Sequence, residues 1–213
     1  MYKLLIILLT TFFALQLNAQ LRHGSCSSKS QSKFYITPYI GIGGGSYSYD
    51  LNNTVIGPGP DSTVYNTSKG GVTTPVVGFN LMYSIGKANI GGGFEWQGVN
   101  GSTSTEINAV KHSAYLYKFY GRLEFALYSD PFNDVGVFFQ GGLSFPKKFV
   151  GESNDLGMFV AGGIFYNYII NSTSSIFITV DYEYSAFTSN IAKAVSNHRL
   201  LPIKLTVGYR FWF

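Results

Sequence analysis

The chain has 213 residues, enough for one domain of ordinary size, and it is 46% hydrophobic but only 12% charged. Soluble domains carry about 25% charged residues, so the low charge, with 17% aromatics and 25 glycines, suits a surface that faces lipid. The formal net charge of +4 is not gathered into a basic block with interleaved aromatics, which leaves nucleic-acid binding without support, and the single Cys26 excludes an internal disulfide.

In chain order, residues 1–19 read as a secretory signal peptide. Lys3 supplies the positive start, Leu4 to Leu17 the apolar stretch, and Ala19 a small residue before a cut at Gln20. That apolar stretch falls short of the roughly 20 residues that span a bilayer as a helix. No later segment is long enough either, so a membrane role has to come from strands. Residues 20–33 are rich in Ser with scattered basic residues and read as a flexible polar segment holding Cys26.

From residue 34 onward eight segments alternate apolar and polar side chains, the period-two pattern of a strand with unlike faces. The first, 34–49, aligns Ile36, Ile40 and Ile42. The second, 73–85, aligns Val77, Phe79, Leu81, Tyr83 and Ile85 against Asn80 and Ser84. The third, 88–99, sets Ile90, Phe94 and Trp96 against Asn89, Glu95 and Gln97. The fourth, 113–128, sets Tyr115, Tyr117, Phe119 and Leu123 against Lys118, Tyr120, Arg122 and Glu124. The fifth, 135–145, opposes Val137, Phe139 and Leu143 to Gln140 and Ser144. The sixth, 157–170, alternates less cleanly, with Ile164, Tyr166, Tyr168 and Ile170 opposed to Asn167. The seventh, 176–188, opposes Ile176, Ile178, Val180 and Tyr182 to Thr179, Asp181 and Glu183. The eighth sets Ile203, Leu205, Val207, Tyr209, Phe211 and Phe213 against Lys204, Thr206, Arg210 and Trp212. Each is about ten residues or longer, as a tilted membrane-crossing strand requires.

The connections after segments two, four and six are short, and those at 50–72, 100–112, 146–156 and 189–200 are expected to be longer loops. Outer-membrane barrels combine short periplasmic turns with longer external loops, and an even strand count puts both termini in the periplasm. Loop 50–72, rich in Gly, Asn, Ser, Thr and Pro, is the candidate for an extracellular partner. Tyr47, Tyr49, Tyr83, Trp96, Tyr115, Tyr117, Tyr128, Tyr166, Tyr168 and Trp212 are candidates for interfacial aromatic girdles. The polar faces carry Glu95, Glu124, Asp181 and Glu183 against Lys118, Arg122, Lys204 and Arg210, a balanced set for a narrow lumen. Asp181 and Glu183 are expected to face Lys204 and Arg210 across neighbouring strands. Gly41, Gly43, Gly91, Gly93 and Gly142 on those faces leave room for large partners such as Tyr120.

With this architecture and the terminal Tyr209, Phe211, Phe213 pattern, the stretch 34–213 resembles the small eight-stranded outer-membrane β-barrels of the OmpA/OmpX type. The resemblance implies an all-β, up-and-down transmembrane barrel behind a cleaved signal peptide. It implies outer-membrane lipid as surroundings, and recognition of Tyr209, Phe211 and Phe213 by the barrel-insertion machinery. A monomer without cofactor or metal is expected, with a structural or cell-surface interaction role. A narrow porin-like channel for small solutes is the alternative.

A lipid A-modifying enzyme is the second alternative. The lipid A deacylases that resemble this fold place His and Ser two apart on one strand. Here His112 and Ser113 are adjacent, Ser196 and His198 are in reversed order in an expected loop, and His23 and Ser25 lie in the polar segment. All three histidines are therefore expected to be solvated, and the chain is not expected to be an enzyme.

Overall fold

The computed structural model describes residues 34–55, 62–104, 109–149, 153–191 and 194–213. The expected signal peptide at 1–19 and polar segment at 20–33, with Cys26, lie outside the described residues.

The described residues form strands and turns. Eight long strands and one two-residue strand run in chain order: β1 (Phe34–Val55), β2 (Ser62–Ile85), β3 (Ala88–Ser104), β4 (Ala109–Ser129), β5 (Asn133–Lys147), β6 (Ser153–Asn154), β7 (Gly157–Asn171), β8 (Ser174–Ile191) and β9 (Ala194–Trp212). Every long strand pairs antiparallel with its neighbour in sequence. β9 then pairs back onto β1, from Tyr35↔Trp212 to Leu51↔Ser196, and the sheet closes into a ring with no free edge. β6 adds Ser153↔Asn190 and Asn154↔Ser189 on the far part of β8.

The sense of burial identifies the solvent. Ile40, Phe139 and Val160 point outward at 60–67% exposure, while Lys118, Glu124 and Glu183 point inward at 0%. A soluble barrel has the opposite arrangement. An apolar band around a closed barrel with a charged interior is the surface of an outer-membrane β-barrel.

Local chemistry accounts for the three short turns. Gly86 sits at φ +64° in the two-residue β2–β3 connection, a conformation that costs glycine little. After β4, Asp130 Oδ1 accepts from the amides of Phe132 and Asn133, both at 2.7 Å. The Phe132 amide, followed by the Asn133 side chain, holds the exposed Asp130 carboxyl below its ordinary range. After β7, Asn171 Oδ1 accepts from the Thr173 amide at 2.9 Å. All three are side-chain or glycine solutions to a tight reversal.

The opposite end departs from expectation. The segments read as loops continue the strand ladder: β1 and β2 stay paired out to Val55↔Ser62, β3 and β4 to Ser104↔Ala109, and β8 and β9 to Ile191↔Ala194. Most of 50–72 is thus hairpin, and only 56–61 of it lies outside the described residues. In 146–156, β5 runs on to Lys147 and β6 contributes its two residues. Beyond the lipid both faces of a strand can be polar, so the ladder persists after the alternation has ended.

Lumenal glycines are where large side chains cross. A Cβ on Gly93 would lie 2.4 Å from the Phe79 carbonyl oxygen and 2.7 Å from the Tyr120 hydroxyl, whereas one on outward-facing Gly121 meets nothing nearer than 3.9 Å. Gly93→Ala is expected to lower the urea midpoint of the refolded barrel, with a loss of about 1–3 kcal/mol. Gly121→Ala should leave it unchanged. Equal midpoints would contradict the close packing at Gly93.

Candidate functional site

The lumen is the chemically dense part of the protein, and it is organised in three layers. Nearest the short turns, Glu124 on β4 is the hub. It accepts from Arg210 Nη2 at 3.0 Å, Arg122 Nε at 2.9 Å, Tyr35 OH at 2.9 Å and Asn89 Nδ2 at 3.2 Å. The Arg210 guanidinium lies between the rings of Tyr35 and Phe177, 4.1 and 4.2 Å from their centroids. Arg122 lies 3.6 Å over Phe138 and donates to Gln140 at 2.8 Å. These aromatic faces shield cations that have left water.

A hydroxyl bridge leads to the second layer. Tyr39 and Tyr120 hydroxyls are 2.8 Å apart; Tyr120 donates to Asn80 at 2.6 Å and Tyr39 to Glu95 at 3.0 Å. Above it, Lys204 sits 3.0 Å from Glu95, 2.8 Å from Glu183 and 3.4 Å from Asp181. Lys118 joins Glu95 at 3.3 Å and also pairs with Glu183 and Gln97. Ser185 donates to Glu183 at 2.6 Å. Across both layers four carboxylates meet four cations, the condition under which buried charge persists.

The third layer is apolar. Tyr47, Tyr49, Val99, Leu116, Phe149, Phe187 and Leu200 form one buried cluster across the lumen. At its centre is His198, 1% exposed, with its ring 4.8 Å from that of Phe187 and nearly parallel to it. Its Nδ1 is 2.7 Å from Tyr47 OH and its Nε2 is 2.6 Å from Ser189 Oγ.

Several expectations change here. His198 is not a solvated loop residue, because its even number on β9 gives it the inward parity of Lys204 and Arg210. The backbone of His112 pairs with Gly101, while its side chain and the whole of His23 lie outside the described residues. Tyr47 and Tyr49 are not girdle residues, since inward parity buries both, and Trp212 packs 4.5 Å from the Tyr35 ring. Tyr83, Tyr128, Tyr166 and Tyr168 do lie on the outer surface near the short turns, and Trp96, Tyr115 and Tyr117 face outward toward the other end. Arg210 does not meet Asp181 or Glu183. Register sets Asp181 opposite Lys204 and Ser175 opposite Arg210, six residues further along. That separation is about 20 Å. The Tyr209 and Phe211 rings pack in a tilted pair with centroids 4.6 Å apart, and Phe213 is exposed, its amide donating to the Phe34 carbonyl at 3.0 Å.

The Ser189–His198–Tyr47 chain has the atoms of an activated nucleophile, and both Ser189 and His198 are buried, with the His198 ring stacked on Phe187. Among the described residues no cluster of His, Cys, Asp or Glu suits a metal ion.

The pairing pattern is testable by double-mutant cycles on the refolded barrel. Arg210→Met with Glu124→Gln should couple by about 0.5–3 kcal/mol, and Arg210→Met with Asp181→Asn should be additive. Lys204→Met alone should cost about 3–5 kcal/mol, because it leaves buried carboxylates without their shared cation. Coupling of Arg210 to Asp181 would refute the register.

The sequence matches no protein-family model and no curated protein. Solved structures do match. The solid-state NMR structure of outer membrane protein AlkL in lipid bilayers aligns with a TM-score of 0.50 at 12% identity, covering 90% of this chain and 95% of that one. Neisserial surface protein A aligns at 0.49 with 13% identity, covering 84% and 97%. OprG from Pseudomonas aeruginosa aligns at 0.44 with 11% identity, covering 87% and 98%. Ring closure, strand order and the outward apolar band, together with the AlkL alignment, give this chain the fold of the small outer-membrane β-barrels.

Proposed function

We propose that the protein is an integral outer-membrane barrel with a closed lumen and a structural or cell-surface interaction role. The observation that carries this reading is the filling of the lumen. Two ion-paired layers and an aromatic cap occupy the cross-section in succession. Beside Arg122, Gln140 and Asp181 a cavity of about 10 Å³ has room for no more than one water. An eight-stranded barrel is just wide enough to be filled by its own side chains, and this one uses its largest.

On this reading, residues 1–19 direct export, and Tyr209, Phe211 and Phe213 present the last strand to the insertion machinery. The hairpin ends opposite the short turns, with 50–72 foremost, face outward and meet any extracellular partner. On this reading the protein acts as a monomer. Catalysis is not part of this reading, because the serine–histidine pair is buried.

Planar-bilayer recording of the refolded protein tests the proposal, with a heat-shifted gel band to verify folding. A folded barrel is expected to be electrically silent. Stable, reproducible conductance steps would overturn the closed lumen and favour a narrow channel lined by Lys118, Glu183 and Lys204.

A further inference from the structure

On the outer wall of the barrel, β2, β3 and β4, with Gly45 of β1, line an open patch of about 640 Å³. Register builds it in two rows. Thr73 pairs with Asn100 and Asn100 with Ser113, so three exposed polar side chains stand side by side. Strands are about 4.8 Å apart, so this row spans about 10 Å, the scale of one to two sugar rings. One step toward the lipid, Gly98 pairs with Tyr115. Gly98 is buried under Pro75 and the Trp96 indole, which a Cβ there would meet at 3.0 and 3.2 Å. Trp96 and Tyr115 lie 6.5 Å apart along this edge. The patch is therefore polar and uncharged above, with aromatic faces below, at the point where the apolar band gives way to polar wall.

Cations stand on both flanks. Exposed Lys69 follows Gly71 by one outward step on β2, about 7 Å away. On the other side Lys147 pairs with Tyr115, and Lys148 Nζ lies 5.6 Å from the Tyr115 ring centroid. No carboxylate is among the residues that line the patch.

We infer that this patch binds the phosphorylated sugar headgroup of an outer-leaflet glycolipid. The hydroxyl and amide row matches sugar hydroxyls, Trp96 and Tyr115 match the apolar faces of sugar rings, and the flanking lysines match phosphates. Position selects this occupant over a soluble one. The patch is continuous with the lipid-facing band, so the headgroup of an adjacent lipid lies at its level while its acyl chains run down the wall. The inference rests on the outer-membrane reading and on the hairpin ends facing outward.

Native mass spectrometry of the folded protein in detergent tests it. The probes are lipid A, lipid A stripped of its phosphates, and phosphatidylglycerol. Lipid A should be retained about tenfold more tightly than phosphatidylglycerol. Asn100→Leu with Ser113→Leu should abolish that preference while the heat-shifted band remains. Lys69→Ala with Lys147→Ala and Lys148→Gln should bring lipid A down to the level of its dephosphorylated form. Equal retention of lipid A and phosphatidylglycerol, or a preference that survives the Asn100 and Ser113 changes, would overturn the site. A chain that gives no heat-shifted band would overturn the outer-membrane reading and the site with it.

Discussion

Ring closure between β1 and β9 is the constraint on which everything else depends. In lipid, each unpaired backbone amide and carbonyl carries a cost of several kcal/mol, so a sheet is tolerated there only when it has no edge. Closure then creates an interior cut off from both water and lipid. Eight strands leave that interior the width of a few side chains, and whatever points inward has to satisfy itself. The ion-paired layers around Glu124 and Lys204 are the result, and the glycines opposite Tyr120 are what allows side chains of that size to coexist.

The lumen is best understood as a short polar core with an apolar lid. Arg210 and Arg122 are held by Glu124 and covered by rings, while Lys204 and Lys118 are shared among three carboxylates. Above them the cluster around His198 contains no formal charge except what the imidazole itself can carry. The ion pairs cross between strands and so tie the layers to one arrangement of the strands as well as filling them, although Gln97 Nε2 and Arg122 Nη2 are buried without a hydrogen-bond partner.

Much of the architecture was legible because lipid imposes a strict period of two. Leu123, Val180 and Leu205 had to alternate with polar neighbours, and the count of such segments led directly to the barrel. The charged lumenal residues followed from the same parity. What stayed hidden depends on register, which alternation does not encode. Asp181 and Arg210 carry the right charges on adjacent strands, yet a stagger of six residues assigns Arg210 to Glu124. Beyond the lipid the pattern itself ends. Ser, Gly and Asn there look like loop because nothing requires an apolar face, although the backbone ladder continues. Tyr47 and His198 are hard to place by residue type for a related reason: type suggests girdle and loop, while parity with Tyr35 and Lys204 puts them inside.

The last strand also has an electrostatic role. Among the buried, described residues, the strands other than β9 hold Glu95, Glu124, Asp181 and Glu183 against Lys118 and Arg122, an excess of two negative charges. β9 brings Lys204 and Arg210 and restores neutrality in the same step that removes both open edges. Hydrogen bonding and counter-charge thus favour the same event, and an unclosed sheet is penalised twice. The strand that completes the wall is also the ligand for the vacancy inside it, which makes closure a binding reaction between one basic strand and an acidic cleft.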